Sequence, residues 1–444
     1  MTRCPIWRPL CKVDRAAEGR HLPDGGEALE TVRGLVGLLA FMLLAFALSA
    51  SRRDVRWKVA AAGVALQLVL GALLLLMPGT QSLFSAIGRG VDAIYLATLE
   101  GTQFVFGYLG GGDMPFETMP AATTFILAFQ SLPVLLFMSV LTAILTYWRI
   151  LPWVVRWLGR GLQRSLGIGG ALGLGAAGNV FLGMVEAPLL IRPYLDRMTR
   201  SELFALMTTG MATVAGTVLV LYAQTLSAVL PNAAGHMLVA SLISLPAAVS
   251  ISLVMLPETA PVTLGDTLPQ REASGLMDAI AQGTQSGVRL LVQVTAMLLV
   301  FVALIALVNS MLAALPDIGG ESLTLQRLFG FLMAPLCWLM GIPWHEAPAA
   351  GQLFGTKTVL NEFLAYLDLA RIGPDQLSPR TTVILSYAMC GFANFGSLGI
   401  MVGGLTAIAP NRRGDILTLA PRSIVSGTLA TCCTGCIAGI FVTG

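Results

Sequence analysis

Charge is what this chain has least of. Only 11% of its 444 residues are Asp, Glu, Lys or Arg, against about 25% in an ordinary soluble protein. With 55% hydrophobic residues and a mean hydropathy of +0.78, the chain is not built to meet water on all sides. Histidine is scarcer still: His21, His236 and His345 stand far apart, with no ligand-like spacing. Seven cysteines make no disulfide framework, because Cys4 and Cys11 lie in a polar stretch while Cys337, Cys390, Cys432, Cys433 and Cys436 lie in apolar ones. The cluster Cys432–Cys436 has no His or acidic neighbour to complete a metal shell and reads as small residues on a packed helix. No basic run is interleaved with aromatics, which argues against nucleic-acid binding. No catalytic residue and no cofactor are expected.

What is present is apolar sequence in long blocks. Residues 1–33 are polar and lack the basic start and apolar core of a signal peptide. They read as a disordered extension or the product of a start placed too early. Crossing segments are expected near 34–50, 58–78, 123–147, 203–230, 236–256, 288–313, 381–409 and 420–442, since about 20 apolar residues suffice to cross. The segments 91–112, 148–166, 168–199 and 325–368 are too broken to cross simply. The resulting regions are 34–122 (two spans and the broken segment 91–112), 123–199 (third span, cytoplasmic amphipathic segment, first hairpin), 200–313 (spans four to six with a cytoplasmic loop 257–287) and 314–444 (second hairpin, last two spans). Gly (48 residues) suits close helix packing in lipid.

Lys and Arg placement sets the orientation. Arg52, Arg53, Arg56 and Lys58 place the first link inside, as do Arg149, Arg156, Arg160 and Arg164, then Arg192, Arg197 and Arg200, then Arg412, Arg413 and Arg422. Eight crossings satisfy all four clusters if 168–199 is a re-entrant hairpin from the inside and 325–368 one from the outside. Each half then reads hairpin followed by two spans, in opposite orientation: an inverted repeat, the usual plan of a secondary transporter. The basic residues Arg3, Arg8, Lys12, Arg15 and Arg20 run against this orientation, with five acidic residues mixed among them up to position 33.

Two glutamates stand inside the broken segments. An ionisable group at bilayer depth costs roughly 2.5–3.5 kcal/mol on insertion scales, so it ordinarily faces a cavity and has a function. Glu186 is bracketed by Gly183 and Pro188, and Glu362 follows Asn361. Each hairpin precedes a polar, small-residue patch: Met211-Ala-Thr-Val-Ala-Gly-Thr217, then Cys390-Gly-Phe-Ala-Asn-Phe-Gly-Ser-Leu-Gly399. Carboxylates, amides and hydroxyls with Phe392 and Phe395 suit a neutral, hydroxyl-rich, partly aromatic solute. Lys357 is the one cation near this inventory and is placed to neutralise Glu362. Taken singly, Asn179, Thr213, Thr217 and Ser397 are as readily explained as interhelical glue. Asp266, Asp278 and Asp415 read as loop charges.

The motifs Phe104-Val-Phe-Gly107, Phe129-Gln-Ser-Leu-Pro133, Glu186-Ala-Pro-Leu-Leu-Ile-Arg-Pro-Tyr194, Met277-Asp-Ala-Ile280, Asn361-Glu-Phe363 and Cys390-Gly-Phe-Ala-Asn394 occur in order across 34–442. Together they resemble the concentrative nucleoside transporter family, the bacterial nucleoside–cation symporters. The resemblance implies an all-α polytopic protein of the bacterial inner membrane, with eight transmembrane helices and two opposed re-entrant hairpins. It also implies a homotrimer with an elevator-type cycle and an interfacial helix at 91–112. By motif, Glu362, Asn394 and Ser397 correspond to the ribose-binding group and Phe392 to a pocket wall. Glu186 corresponds to the hairpin carboxylate near the base, and Val218 to a further substrate position. Asn179, the Leu182 carbonyl, Thr213 and the Val214 carbonyl fall on the sodium-site positions, with Thr213 where serine is usual. A hard cation takes such oxygens.

One departure matters. The family usually has Gln-Thr before the first hairpin glutamate, where this chain has Met184-Val185. Two hydrogen-bonding side chains become apolar, which weakens discrimination among bases. The leading expectation is nucleoside import coupled to Na+, with H+ through Glu186 as the alternative ion. Other readings are a nucleobase-like or ribosyl solute, a passive channel and an intramembrane enzyme. A channel needs no paired hairpins with one carboxylate each, and an enzyme would need a His or metal constellation that the chain lacks.

Overall fold

The structure, a computed structural model, describes residues 25–77, 79–116, 124–265, 273–316, 322–373 and 376–442. All regular secondary structure among these residues is helical. Cys4, Cys11, His21, the basic residues before position 21 and Asp266 lie outside the described residues. The first helices are α1 (Gly25–Ala47), α2 (Trp57–Leu76) and α3 (Thr80–Phe106). Helix α1 starts inside the stretch read as disordered. The interfacial segment expected at 91–112 begins earlier, at Thr80, and ends in a 3-10 turn at Gly107–Gly110.

From there the element order repeats. The first unit runs through a short α4 (Leu127–Gln130), α5 (Val134–Tyr147), α6 (Ile150–Leu166), a hairpin of α7 (Gly170–Asn179) with α8 (Glu186–Leu190) and α9 (Arg192–Leu195), a broken pair α10 (Arg200–Ala212) and α11 (Gly216–Leu226), and α12 (Ala233–Met255). The second runs through α13 (Leu276–Leu312), α14 (Leu325–Leu339), a hairpin of α15 (Ala347–Val359) and α16 (Glu362–Leu369), a broken pair α17 (Pro379–Met389) and α18 (Phe395–Ile408), and α19 (Arg413–Phe441). In both units the short helix before the hairpin packs on its first arm, α6 on α7 and α14 on α15.

Several expected boundaries shift for local reasons. The segment 325–368 is a separate helix, α14, followed by the hairpin proper. Thr324 starts that helix by accepting the Arg327 N–H at 3.2 Å. The span expected at 381–409 is two helices, because Asn394 caps a new start there. The loop 257–287 is shorter, since α13 already begins at Leu276. Asp278 and Asp415 are not loop charges: both sit in the first turn of a helix, where the macrodipole favours an anion. Asp415 also pairs with Arg200 and Arg412, each at 3.0 Å.

Six helical stretches among the described residues are long and apolar enough to cross a membrane. They sort into an inner and an outer group. The apolar windows of Arg200–Leu226, Ala233–Met255 and Pro410–Phe441 are 94%, 83% and 78% buried, whereas that of Leu276–Leu312 is 6% buried. The inner helices form a core with the hairpins, and α13, paired with α5, presents an apolar face outward. Cys432, Cys433 and Cys436 are buried in that core.

One buried cation ties the ends of the second unit together. Arg380, 6% exposed, donates to the carbonyls of Gly341 at 2.8 Å, Gly439 at 2.6 Å and Val442 at 3.3 Å. Two of these are orphan carbonyls at the C-terminal end of α19, where a cation also meets the negative dipole end. Arg380→Ala is expected to lower stability by about 3 kcal/mol, because charged hydrogen bonds to buried acceptors are lost. A thermal-unfolding scan in detergent should show a clear drop, with Arg380→Lys in between.

Candidate binding site

Glu362 is the first residue of α16, and Asn361 sets that helix start by accepting the Leu364 N–H at 2.9 Å. The Glu362 side chain is 3% exposed. Tyr222 on α11 donates its hydroxyl to Oε1 at 2.5 Å, and Asn394 donates its amide to Oε2 at 2.8 Å. The oxygen of the same Asn394 amide accepts the Ser397 N–H at 2.7 Å and so starts α18. One amide therefore fixes both the second helix break and the carboxylate. Lys357 is fully buried and lies within Coulombic range of Glu362. Its ammonium has no hydrogen-bond partner among the described residues and sits 5.5 Å from the centre of the Phe354 ring. A carboxylate has about four lone-pair sites, so Glu362 keeps capacity for hydroxyl donors beyond these two partners. Ser397 is 8% exposed, and Phe392 is half-buried close by in the chain.

Glu186 opens α8 at the turn of the first hairpin. Gly183 makes that turn at φ 94, a left-handed conformation that suits glycine. The carboxylate lies against the N–H groups of Val185 and Glu186 and lines a cavity of about 250 Å³ with Leu182, Thr217, Ser139, Thr142 and Gln282. Helix α11 connects the two acids. Thr217 in its first turn shares the cavity with Glu186. Tyr222, about 7.5 Å further along the axis, holds Glu362. Val218, one turn before Tyr222, is 7% exposed.

The four oxygen-bearing positions of the first half come together where the hairpin turn meets the α10–α11 break. Gly216 N–H donates to the Phe181 carbonyl at 3.1 Å, lacing the turn to the break. Thr213 donates to the Thr209 carbonyl at 2.9 Å and lies 3.4 Å from the Asn179 carbonyl. The Asn179 amide meets the Thr209 hydroxyl at 2.9 Å and the Gly183 carbonyl at 3.1 Å. Among the described residues, the Leu182 and Val214 carbonyls accept no hydrogen bond. No group of three His, Cys, Asp or Glu residues suited to a transition metal occurs among the described residues.

Met184 and Val185 act as packing knobs. A Cβ on Gly210 of α10 would come within 2.9 Å of the Met184 Cβ, and a Cβ on Gly404 of α18 within 2.7 Å of the Val185 methyls. The pair thus wedges the first hairpin against helices of both units. The sequence alone does not mark Tyr222. Its only signal is a polar-tipped aromatic one turn after Val218 in an otherwise apolar helix.

The chain matches three family descriptions along nearly its whole length. These are the N-terminus of Na+ dependent nucleoside transporters over residues 36–109, a "Nucleoside recognition" gate over 128–229, and the C-terminus of Na+ dependent nucleoside transporters over 236–439. An uncharacterised transporter of Bacillus subtilis is 37% identical, covering 92% of this chain and 99% of the relative. A nucleoside permease of Helicobacter pylori is 33% identical, covering 92% and 97%. Among solved structures, CNTnw in an inward-facing substrate-bound state superposes with a TM-score of 0.83 at 35% identity, covering 92% of this chain and 98% of the other. An intermediate state of the same protein gives 0.85 at 34%, covering 93% and 100%. Motif order, fold and sequence agree: the chain is a membrane transporter, not an enzyme, and belongs to the concentrative, Na+ dependent nucleoside transporter family.

Proposed function

We propose that this protein imports nucleosides by symport with a cation, Na+ in preference to H+, across the bacterial inner membrane. The observation that carries the reading is the Glu362 assembly: a buried carboxylate oriented by Tyr222 and Asn394, with acceptor capacity left over. Ribose supplies vicinal hydroxyl donors for Glu362, while Asn394 and the Ser397 hydroxyl complete the sugar site. Phe392 forms a pocket wall, and Glu186, Val218, Met184 and Val185 border the base. The eight-span, opposed-hairpin plan fits the repeated element order. A homotrimer would cover the outward face of α13, and the hairpin units would move against that frame.

For the coupling ion, Asn179, the Leu182 carbonyl, Thr213 and the Val214 carbonyl supply only hard oxygens, and the Leu182 and Val214 carbonyls accept no hydrogen bond among the described residues. A cation there offsets the negative charge of Glu186 and ties the hairpin turn to the α10–α11 break. Ion and solute then order the same elements and strengthen each other's binding.

Proteoliposomes loaded with separate Na+ and pH gradients test the reading. Adenosine and uridine uptake should follow the Na+ gradient, and uptake independent of both gradients would point to a passive channel. Glu362→Gln should reduce uptake at least about 100-fold, because the amide donates where an acceptor is needed. Tyr222→Phe should weaken uptake about tenfold by removing one charged hydrogen bond. Thr213→Val should raise the half-saturating Na+ concentration about tenfold while leaving maximal uptake largely intact. Competition by uridine, adenosine and inosine reads the role of Met184-Val185. Broad or purine-leaning competition is expected, and strict uridine preference would contradict it.

A further inference from the structure

We infer that Phe301 on α13 is the plug that closes the sugar-binding group on the side away from the Glu186 cavity, and that Gly396 is the notch that receives it. The stripe of α13 that faces the core changes character along the helix. Its first part is polar, and Gln282 and Ser286 line the cavity together with Glu186. Leu290 is the last α13 residue to line it. From Leu298 to Val308 the helix is apolar throughout. Leu298 is 8% exposed and Phe301, one turn on, is half-buried, whereas Leu299, Val300, Val302 and Leu304 beside them are exposed.

Phe301 meets the second unit at the first turn of α18. A Cβ on Gly396 would lie 3.0 Å from the Phe301 Cε2, 3.3 Å from its Cζ and 3.4 Å from the Asn394 Oδ1. The tip of the ring therefore lies over bare backbone, beside the amide that orients Glu362, and a side chain at 396 would hold it off. Asn394 and Ser397 flank this notch, and both belong to the sugar-binding group. An apolar ring there keeps water from competing for the Asn394–Glu362 hydrogen bond, which is stronger in a dry surrounding.

Position along α13 gives the direction of closure. Phe301 is eleven residues past Leu290, about 16 Å along the axis. The cavity thus opens on one side of the site and the ring lies on the other. Helix α13 is well braced for this task. A Cβ on Gly283 would lie 2.8 Å from the Val140 Cα, and one on Gly287 2.8 Å from the Leu136 Cα, so α13 and α5 close on each other at backbone distance. The plug is carried by this pair and the notch by the broken pair that carries Asn394. When the hairpin units move against the frame, the notch leaves the ring and the site opens on that side; this step rests on the function proposed above.

Access to the site can be read without any transport assay. With the loop before α13 in the cytoplasm, Phe301 closes the outer side. Ser397→Cys, in a chain carrying Cys4→Ser and Cys11→Ser, is labelled in spheroplasts with a membrane-impermeant thiol reagent; the five other cysteines are buried. Labelling should be slow with the ring in place and about tenfold faster with Phe301→Ala. Leu299→Ala, at a side chain 70% exposed on the same helix, should leave the rate unchanged. Equal rates with and without the Phe301 ring would overturn the proposal. Adenosine uptake into proteoliposomes gives a second reading. Gly396→Val should slow it about tenfold, because the plug no longer seats. Gly403→Val, where a Cβ meets nothing within 4 Å, should not. Adding Phe301→Ala to Gly396→Val should restore uptake severalfold, because the clash is with that ring. A double variant as slow as Gly396→Val alone would also overturn the proposal. If Gly396→Val does not fold, Gly396→Ala, which helix propensity favours, takes its place. Absent uptake by the unaltered chain would instead count against the transport reading, because labelling reads the plug independently.

Discussion

An ionised carboxylate cannot be buried in a membrane protein's core without compensation, and most of the candidate site answers that constraint. At Glu362 the compensation comes from three directions. Tyr222 donates to one oxygen, Asn394 to the other, and Lys357 supplies a nearby positive charge. Each compensating group comes from a different element: α11, the α17–α18 break and α15. A single acid thus holds the second hairpin in register with broken helices of both units. Removing the proton acceptor would leave two oriented donors and a buried ammonium without a counterpart, each costly in a low-dielectric interior.

The helix breaks follow from the same need. A continuous helix consumes its own backbone polar groups and offers a solute nothing but side chains. Interrupting α10–α11 at 213–215 and α17–α18 at 390–394 frees carbonyls and N–H groups at depth. Asn394 satisfies one such N–H, and the laced turn at Phe181–Gly216 satisfies another. The Leu182 and Val214 carbonyls are left over beside Asn179 and Thr213. Small residues make this crossing feasible: Gly210 and Gly404 receive Met184 and Val185, so the first hairpin seats on both units through apolar contact. Met184 and Val185 thus contribute packing between hairpin and helices and offer no side-chain hydrogen bond to a solute.

Much of this was legible in the sequence. Two acids in Gly- and Pro-broken apolar segments located the hairpins, and the polar patches after them fall where α10–α11 and α17–α18 break, in segments expected to cross unbroken. Lys357 was recognised as the neighbour of Glu362 from proximity along the chain alone. Tyr222 was not, because it acts across 140 residues and an aromatic in an apolar helix carries no local mark of its partner. Boundaries failed where apolarity and helicity part company. Helix α1 extends to Gly25 through polar sequence, and α13 to Leu276 through sequence too polar to cross. The 381–409 segment is apolar enough to read as one span and yet breaks, because Asn394 offers the backbone a cap that mean composition does not register. Hairpin and flanking helix merged in 325–368 for the converse reason, since hydropathy alone does not separate α14 from α15.

The central claim is that Glu362 takes ribose hydroxyls, and the most direct measurement changes the ligand rather than the protein. Competition of labelled adenosine uptake by unlabelled adenosine and by 2′,3′-dideoxyadenosine, in proteoliposomes of the unaltered protein, isolates those hydroxyls. A site built around hydrogen bonds rejects an analogue that lacks them by orders of magnitude. The dideoxy analogue should compete at least about 100-fold more weakly. Equal competition by the two would show that the buried carboxylate does not read the sugar, and would contradict the account.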